Sequence, residues 1–454
     1  MPILDHTKQS ELAELGVLLN RDLPETAATK VSTDLNAALK SAGWPAWNLG
    51  QGAETEIPQT VLDQLPEQTI SGKSFDCVYP KPVGGRARVK EAAQGIIKRY
   101  FGIDTHQIAV INAHGRDGLF KMLLSANAVA DVGAMEIAIP EFHWPMYKAH
   151  VRLAKGSSAR EYPNPDANGV FDPASLGDVN TLQAIIVNPE HNPTGKVYPK
   201  AFVQGLVDYI EGVNKARLDA DKQPIFIALD PPYFHSRDAN PNADIDQGEC
   251  YYDSPIGSAI NDAQYTPVAA SIPGTKAWGT AAFGMTILAG NQRAMDLLNP
   301  ALLVTNGLAG FDEVFNLFAD FMAVDHDQAR LAFEAHLRSK YQQNKDARDE
   351  ALADLVGASL VDGDAGMTCL LKLELNHFFG KTVMGEKTGA FSINEMNDII
   401  EYLALNHGIV TVNNGSRDGL GFLRLANALK PENYAEAMVH LKTGLEALTQ
   451  VQSE

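Results

Sequence analysis

Gln183-Ala-Ile-Ile-Val187, followed by Asn188-Pro-Glu-His-Asn192-Pro-Thr-Gly195, is the stretch that decides the fold of this chain. The first segment is apolar almost throughout, which is typical of a strand covered on both faces. Asn, Pro and Gly cluster in the second segment, and this composition predicts a turn. A buried strand that ends in such a turn predicts a parallel sheet with a loop at its carboxyl edge.

Apolar segments of the same kind recur on both sides of this stretch. The other predicted strands are Gln107–Asn112, Met135–Ile139, Ile225–Leu229, Val268–Ser271 and Met285–Leu288. Segments with helical spacing separate several of them, among them Gly118–Val129 and Lys200–Lys215. This alternation predicts a three-layer α/β/α domain with a mainly parallel sheet.

The pattern of predicted strands and helices changes beyond Pro300. A helical run covers about 310–354 with a possible break near Asp325, and shorter strands and a last helix at about 431–448 follow. This part predicts a smaller α+β domain. We therefore divide the chain into an N-terminal arm (1–55), a large domain (56–310) and a small C-terminal domain (311–454).

Composition and charge exclude several classes of function. The net charge is −19, so the surface repels phosphate backbones and anionic lipid, and we expect neither nucleic acid nor membrane as a partner. No apolar run approaches ~18 residues, so we expect neither a signal peptide nor a membrane span. Cys77, Cys250 and Cys369 are odd in number and scattered. They suggest free thiols in a reducing, cytoplasmic compartment, and neither a disulfide framework nor a metal site.

The unusual residues of the chain follow the predicted strands, where ligands bind to parallel sheets. These residues are Gly115, Phe142, Asn192, Asp230 and Lys276. Lys276 lies in the apolar setting Ser271-Ile-Pro-Gly-Thr-Lys-Ala-Trp-Gly279. A lysine that is partly desolvated has a lowered pKa, and its free amine can form a Schiff base. The alternative is a surface lysine after a turn.

Four motifs together resemble the class I/II aminotransferases, which are fold-type-I pyridoxal-phosphate enzymes. Asn188–Gly195 resembles the asparagine loop of that family, and Asp230-Pro-Pro-Tyr233 resembles its Asp-x-x-Tyr motif. Lys276 with Gly279 resembles Ser-Lys-x-x-Gly, and Gly421-Phe-Leu-Arg424-Leu-Ala-Asn427 resembles the C-terminal strand that carries the substrate-binding arginine. The motifs occur in family order and at about family spacing, and the resemblance covers roughly residues 45–445.

The resemblance implies a role for each cofactor-binding residue. Lys276 would hold the cofactor aldehyde as an aldimine and later transfer protons as a general base. Asp230 would pair with the pyridine nitrogen and keep it protonated. Asn192 and Tyr233 would hydrogen-bond the phenolic oxygen of the ring. Phe142 would stack on the ring, with Trp144 as a rival for that role. The alternative for Phe142 is an aromatic residue that only packs, and the alternative for Asp230 is a helix cap or a loop carboxylate.

The resemblance also implies how a substrate and a second subunit contribute. Arg424 would bind the substrate α-carboxylate through a two-pronged, charge-assisted contact, with a structural ion pair as the alternative. Asn192 and the backbone near Gly52 would add contacts to the substrate. Tyr79 resembles the tyrosine that reaches the cofactor phosphate of the neighbouring subunit, which implies a homodimer with shared active sites.

The sequence departs from the family at the phosphate site. Gly115, in the turn before a helix, matches the family's phosphate turn, because backbone N–H groups at a helix start favour an anion. However, Gly284 stands where the family usually has an arginine, and Pro273 stands where it often has a serine. Our hypothesis is that Arg116 supplies the missing charge and that Thr275 adds a hydroxyl group. The alternative for Arg116 is a solvated side chain at the helix start.

The activity that the resemblance implies is transfer of an amino group from an L-amino acid to a 2-oxo acid. A lyase, a decarboxylase or an amino-acid oxidase on the same fold would use the same residues, and a non-catalytic regulator is the alternative from another class. No Lys or Arg lies between Arg293 and Arg330, which disfavours a dicarboxylic substrate. Nearby aromatic residues favour an apolar or aromatic one. The 236–264 loop is longer than in the family and leaves the substrate open.

Overall fold

The computed structural model describes residues 28–50, 87–104, 107–128, 136–154, 157–278, 284–305, 318–361, 363 and 366–450. Several residues singled out in the sequence lie outside these ranges, namely Gly52, Cys77, Tyr79 and Gly279, as does the first half of the N-terminal arm, residues 1–27. The expected roles of Gly52 and Tyr79 therefore stay predictions.

The described residues form strands and helices that alternate through the first two thirds of the chain. The strands are β1 (Trp47–Asn48), β2 (Ile108–Asn112), β3 (Glu136–Pro140), β4 (Ser158–Tyr162), β5 (Leu182–Val187), β6 (Phe226–Leu229), β7 (Val268–Pro273), β8 (Met285–Gly290), β9 (Ala358–Leu360), β10 (Thr368–Glu374), β11 (Lys381–Gly385), β12 (Gly389–Ile393), β13 (Ile409–Val410), β14 (Val412–Arg417) and β15 (Leu420–Ala426). The α-helices are α1 (Ala28–Ser41), α2 (Ala87–Phe101), α3 (Gly115–Ala128), α4 (Met146–Leu153), α5 (Lys200–Asp219), α6 (Pro255–Asn261), α7 (Gly274–Ala277), α8 (Gln292–Thr305), α9 (Asp327–Leu352), α10 (Met396–His407) and α11 (Pro431–Thr449).

The main sheet has seven strands in the described part of the chain, in the order β2-β8-β7-β6-β5-β3-β4. The strands from β7 to β4 run parallel, whereas β8 is antiparallel to both of its neighbours. Every residue of β5, β6, β7 and β8 is buried, as their apolar sequences predict. The mainly parallel sheet expected from the sequence is confirmed.

Alternate residues of the central strands face two different hydrophobic clusters. Ile185 and Val187 of β5 pack into one cluster, with side chains of α2, α5 and α6, whereas Ala184 and Ile186 pack into the other, with side chains of α3, α4 and α8. The alternation follows from the period of two along a strand. It produces the three-layer α/β/α arrangement that the sequence predicts.

Two strands of this sheet differ from the prediction. β4 was not predicted, because its sequence Ser-Ala-Arg-Glu-Tyr has no apolar run; it is an edge strand with mostly exposed side chains. β7 was predicted to end at Ser271 because Pro273 follows, yet the strand continues to Pro273, which lies opposite Thr286 of β8. Pro273 is tolerated there because the pairing of β7 with β6 already ends at Ala270, so its missing N–H faces no ladder on that side.

The C-terminal part forms an antiparallel sheet with the order β14-β15-β10-β9. Side chains of α9, α10 and α11 pack with this sheet in a separate hydrophobic cluster, as expected for an α+β domain. The predicted break near Asp325 is present as a 3-10 turn, Val324–His326, directly before α9. The hairpin β11–β12 was not predicted, and the domain boundaries stay a prediction. No helix in the described ranges combines the length and apolar character that crossing a membrane requires.

Candidate active site

The loops after β5 and β6 meet at the carboxyl edge of the sheet through the buried side chain of Asn188. Its Nδ2 donates to the backbone oxygen of Asp230, and its Oδ1 accepts from the backbone N–H of Asn192 at 2.6 Å. The side chain of Asn192 in turn lies 3.4 Å from the hydroxyl group of Tyr233. Asn192, Asp230 and Tyr233, which the sequence predicts to act on one ligand, are therefore neighbours, and Asn188 is the residue that joins them.

The carboxylate of Asp230 is buried and accepts a hydrogen bond of 2.6 Å from the hydroxyl group of Tyr147. Burial raises the pKa of Asp230 to about 6, while the bond from Tyr147 acts in the opposite direction. We did not predict Tyr147 from the sequence. Tyr147 and Asp230 are 83 residues apart, and nothing in the sequence around Tyr147 indicates that the two residues meet.

Lys276 lies on α7, a single helical turn that directly follows β7. Burial lowers the pKa of its amine to about 8, and the positive charge of Arg424 acts in the same direction. This agrees with the apolar setting described from the sequence and disfavours the alternative of a fully exposed lysine. The amine is neutral near pH 8 to a far greater extent than that of an exposed lysine.

Arg424 on β15 is buried, with 3% of its surface exposed. Its guanidinium donates to the backbone oxygen of Gly50 at 2.6 Å. Its charge adds to the effect of burial in lowering the pKa of Lys276 and opposes the rise that burial causes in the pKa of Tyr233. Among the described residues no carboxylate pairs with it, and its Nε has no hydrogen-bond partner. Arg424 is therefore a buried cation beside Lys276, not a member of an ion pair within the described ranges.

The predicted phosphate turn lies against the end of β7. The hydroxyl group of Ser271 donates to the backbone oxygen of Gly115 at 2.9 Å. A Cβ atom at Gly115 would lie 2.8 Å from the ring of Pro273, so only glycine fits this contact. The structure assigns Gly115 to α3, although we predicted a turn at residues 114–117. The start of α3 and the residues before Lys276 are thus adjacent.

Arg116 lies at the start of α3, where its side chain is 56% exposed and its Nε is 3.9 Å from a carboxylate oxygen of Asp117. Thr275 lies closer to Lys276, and its hydroxyl oxygen is buried with no hydrogen-bond partner in the described ranges. The position of Thr275 agrees with a ligand-binding role. The predicted role of Arg116 stays a hypothesis.

The two candidate stacking aromatics occupy different surroundings. The ring of Phe142 lies 4.8 Å from that of Phe422, and the guanidinium of Arg417 is 3.9 Å from its centroid. These three residues line a cavity of about 280 Å³. Trp144 instead packs edge-on against Tyr147, with ring centroids 5.8 Å apart. Trp144 therefore contacts the residue that binds Asp230, which supports the rival candidate over Phe142.

Three buried polar atoms of the predicted site have no hydrogen-bond partner among the described residues: Asn192 Oδ1, Thr275 Oγ1 and Arg424 Nε. Buried polar groups are seldom left unpaired in folded proteins, so these three atoms indicate a place for a polar ligand. Pyridoxal phosphate with an amino acid would supply phosphate and carboxylate oxygens, to which Thr275 Oγ1 and Arg424 Nε can donate, and an amino group that can donate to Asn192 Oδ1. The amine of Lys276 and the carboxylate of Asp230 match its aldehyde and its ring nitrogen, so the residues present fit this cofactor.

Comparison with known proteins gives consistent matches. Residues 84–218 match the family "Aminotransferase class I and II". An aspartate/prephenate aminotransferase of Thermus thermophilus is 29% identical over 154 residues, which are 33% of this chain and 38% of the relative. An aspartate aminotransferase of Geobacillus stearothermophilus is 28% identical over 187 residues, which are 40% of this chain and 45% of the relative. The matched sequence thus spans less than half of each of these relatives.

Solved structures resemble the chain over a much greater length. The aspartate aminotransferase of Thermus thermophilus with maleate has a TM-score of 0.67 at 20% identity and covers 98% of this chain and 100% of its own. The enzyme of Rhizobium meliloti has a TM-score of 0.68 at 16% identity and covers 92% of this chain and 95% of its own. At such identities the likeness establishes the fold, which is that of the fold-type-I aminotransferases.

Proposed function

We infer that this chain is a member of the class I and II aminotransferase family and that it uses pyridoxal phosphate to move an amino group from an L-amino acid to a 2-oxo acid. The observation that carries the proposal is the proximity of a largely desolvated lysine amine to a buried arginine. Lys276 has a pKa of about 8, and Arg424 lies beside it with no carboxylate partner in the described ranges. An amine to attach a cofactor and a cation to bind a carboxylate are therefore held together.

When bound, pyridoxal phosphate supplies an aldehyde that condenses with amines and a ring that withdraws electrons from the substrate. Lys276 would provide the amine for attachment. Once the amino group of the substrate has displaced it, its Nζ, which is mostly neutral above pH 8, is free to accept a proton from the substrate. The proximity of Arg424 keeps that amine neutral at a lower pH than burial alone would.

Asp230 provides the anion that faces the ring nitrogen. Its pKa of about 6 means that the carboxylate is ionised at neutral pH, and Tyr147 stabilises this form by donating a hydrogen bond. Burial then makes the carboxylate a strong partner for a protonated ring nitrogen, since little water competes for it. Asn192 and Tyr233, whose side chains are neighbours, would hydrogen-bond the phenolic oxygen of the ring.

Arg424 provides the site for the substrate α-carboxylate. One nitrogen of its guanidinium already donates to Gly50, which fixes the plane of the group. Its Nε has no partner among the described residues and is one of the donors available to a carboxylate. The Arg424 site therefore favours α-amino acids and 2-oxo acids, which share that carboxylate.

The phosphate would lie between the start of α3 and the hydroxyl group of Thr275. Helix N-termini favour anions, and Gly115 allows the backbone to lie close to Pro273. We retain Arg116 as the proposed source of positive charge. Trp144, through its contact with Tyr147, is the proposed stacking aromatic, with Phe142 as the alternative.

The choice of substrate side chain rests on weaker similarities. The relatives are named as aspartate and aspartate/prephenate aminotransferases, one solved relative is an aromatic aminotransferase, and another is described with maleate. These names cover both acidic and aromatic substrates, so we propose the reaction class and leave the side chain open. The homodimer with shared sites and the cytoplasmic location also stay predictions.

Half-reaction spectroscopy tests the proposed function. Purified protein with pyridoxal phosphate is mixed with single amino acids, and the cofactor absorbance is followed while the products are analysed. We expect a 2-oxo acid and one equivalent of aminated cofactor with the wild type, loss of both with Lys276→Ala, and neither loss with Lys215→Ala, an exposed lysine on α5. Release of free ammonia in place of aminated cofactor would contradict amino transfer.

A further inference from the structure

Glu334 on α9 is a fully buried carboxylate that no role proposed so far requires. Its Oε1 accepts a hydrogen bond of 2.6 Å from the indole nitrogen of Trp278, and its Oε2 accepts one from the hydroxyl group of Tyr252. Both of its oxygens are therefore engaged. Trp278 lies two residues after Lys276, directly at the end of α7.

We propose that Glu334 is a positioning residue for Lys276, which acts by fixing Trp278 and, through it, the helical turn α7. This inference rests on the proposed function of Lys276. It means that a residue of the long helix α9 helps to set the pKa of the Lys276 amine.

The shortness of α7 explains why it requires such an anchor. The helix has four residues, Gly274–Ala277, and isolated helices shorter than ~12–15 residues are marginal in water. The backbone N–H of Trp278 donates to the oxygen of Gly274 at 2.9 Å and closes the single turn. The position of Trp278 therefore determines where the turn ends and, with it, where the side chain of Lys276 begins.

Ring packing holds the indole of Trp278 in place but does not define its orientation as tightly as a hydrogen bond does. Its ring centroid lies 5.6 to 5.8 Å from those of Phe234, Tyr100 and Phe321, and 2% of the residue is exposed. These edge-on ring contacts give the indole N–H no hydrogen-bond acceptor, whereas the bond to Glu334 fixes its direction. The hydrogen bond is thus the specific part of the anchor.

The charged groups around Glu334 make the carboxylate tolerable at this depth. Arg330 and Arg338 on α9 act on it electrostatically, and together with the two hydrogen bonds they oppose the rise in its pKa that burial causes. Burial nevertheless raises the pKa of Glu334 to about 7. In the ionised form both of its oxygens accept, which suits the indole N–H and the tyrosine O–H.

A matched pair of substitutions separates positioning from simple stability. Trp278→Phe and Tyr252→Phe each remove one donor to the same carboxylate, but only Trp278 adjoins α7. If the role of Glu334 is only structural, the two substitutions should affect the pKa of Lys276 to a similar extent. If Glu334 positions Lys276, only Trp278→Phe should change this pKa, because a loosened α7 lets Lys276 reach water.

The test uses the full chain without cofactor, so that it reports on Lys276 whether or not the proposed reaction occurs. Lys276 is labelled with trinitrobenzenesulfonate as a function of pH, and the labelled peptide is quantified. For Trp278→Phe we expect the midpoint to rise from about 8 towards the value of a free lysine, with a labelling rate at pH 8 that is lower by about tenfold, and for Tyr252→Phe no shift. Equal shifts in the two variants, or none in Trp278→Phe, would overturn the proposal.

Glu334→Met keeps the test decisive if Trp278→Phe does not fold. Methionine has a similar length but offers neither donor a carboxylate oxygen, so the bond to the Trp278 indole N–H is lost. We expect a shift of the Lys276 midpoint in the same direction, while an unchanged midpoint in folded Glu334→Met would overturn the proposal. If positioning holds but the wild type yields no aminated cofactor with any amino acid, it is the proposed function that fails.

Discussion

Tyr147 donates a hydrogen bond of 2.6 Å to Oδ2 of Asp230, and both side chains are buried at the carboxyl edge of the main sheet. Tyr147 comes from α4 and Asp230 from the end of β6, so the fold alone brings them together. The bond lowers the pKa of a carboxyl group that burial raises. It therefore determines whether Asp230 carries the charge that a protonated ring nitrogen requires.

Replacement of Tyr147 by phenylalanine is expected to raise the pKa of Asp230 above its value of about 6. Hydrogen bonds to charged groups contribute about 1.5–3 kcal/mol, so we expect the affinity for pyridoxal phosphate at neutral pH to fall by roughly 10- to 100-fold. Spectroscopic titration at several pH values measures this. Tyr162→Phe, which removes a buried hydroxyl group that donates to Ile186, is the control. Equal losses in the two variants would contradict a specific role of Tyr147.

Replacement of Lys276 by methionine is expected to stabilise the cofactor-free protein at neutral pH. The folded-state pKa of about 8 lies below the ordinary 10.5, so the folded state disfavours the charged amine. This penalty, about 3 kcal/mol in order of magnitude, is full below pH 8 and vanishes as the pH rises through 10.5. Urea unfolding of the variant and the wild type should converge with rising pH. A difference that does not depend on pH, or one equal to that of the exposed Lys98→Met, would contradict a buried amine.

The sequence predicted best the strands that are buried in the sheet, because burial requires apolar side chains. β5, β6, β7 and β8 are buried on both faces, so their apolar runs are sufficient to locate them. β4 was missed because an edge strand with exposed side chains has no such run. The same reasoning predicted Asn192, Asp230 and Lys276 to lie shortly after buried strands, where the structure has them, while their roles stay proposals.

The contacts that tune the site could not be predicted from the sequence. Tyr147 and Asp230, like Trp278 and Glu334, come from different elements of the chain, and only the fold brings them together. Such pairs leave no local spacing signal, because their separation along the chain reflects the topology and not a repeat. For Arg116, by contrast, the sequence position suggests a contact that the structure does not show. The position suggests a phosphate contact, whereas the side chain is largely exposed beside Asp117.

Replacement of Arg424 by glutamine is expected to weaken the binding of every amino-acid substrate. Loss of one partner of a buried charged pair costs on the order of 2–5 kcal/mol, which corresponds to roughly 30- to several-thousand-fold in the half-reaction Kd. The pKa of Lys276 should rise as well, because Arg424 lowers it. Lys372→Gln on the adjacent strand β10 is the control. If the half-reaction Kd and the Lys276 midpoint both stay unchanged, Arg424 is not the carboxylate site.

Replacement of Arg116 by alanine distinguishes a phosphate contact from a solvated side chain. Exposed ion pairs contribute little, but a guanidinium that turns onto a phosphate makes a charge-assisted bond, so we expect the affinity for pyridoxal phosphate to fall by about tenfold. Affinity for pyridoxal, which lacks the phosphate, should stay unchanged, and Thr275→Ala should show the same pattern because its hydroxyl group is buried and without a partner in the described ranges. Arg152→Ala, an exposed arginine on α4, is the control. An unchanged affinity for pyridoxal phosphate in Arg116→Ala would leave the helix start and Thr275 to hold the phosphate without it.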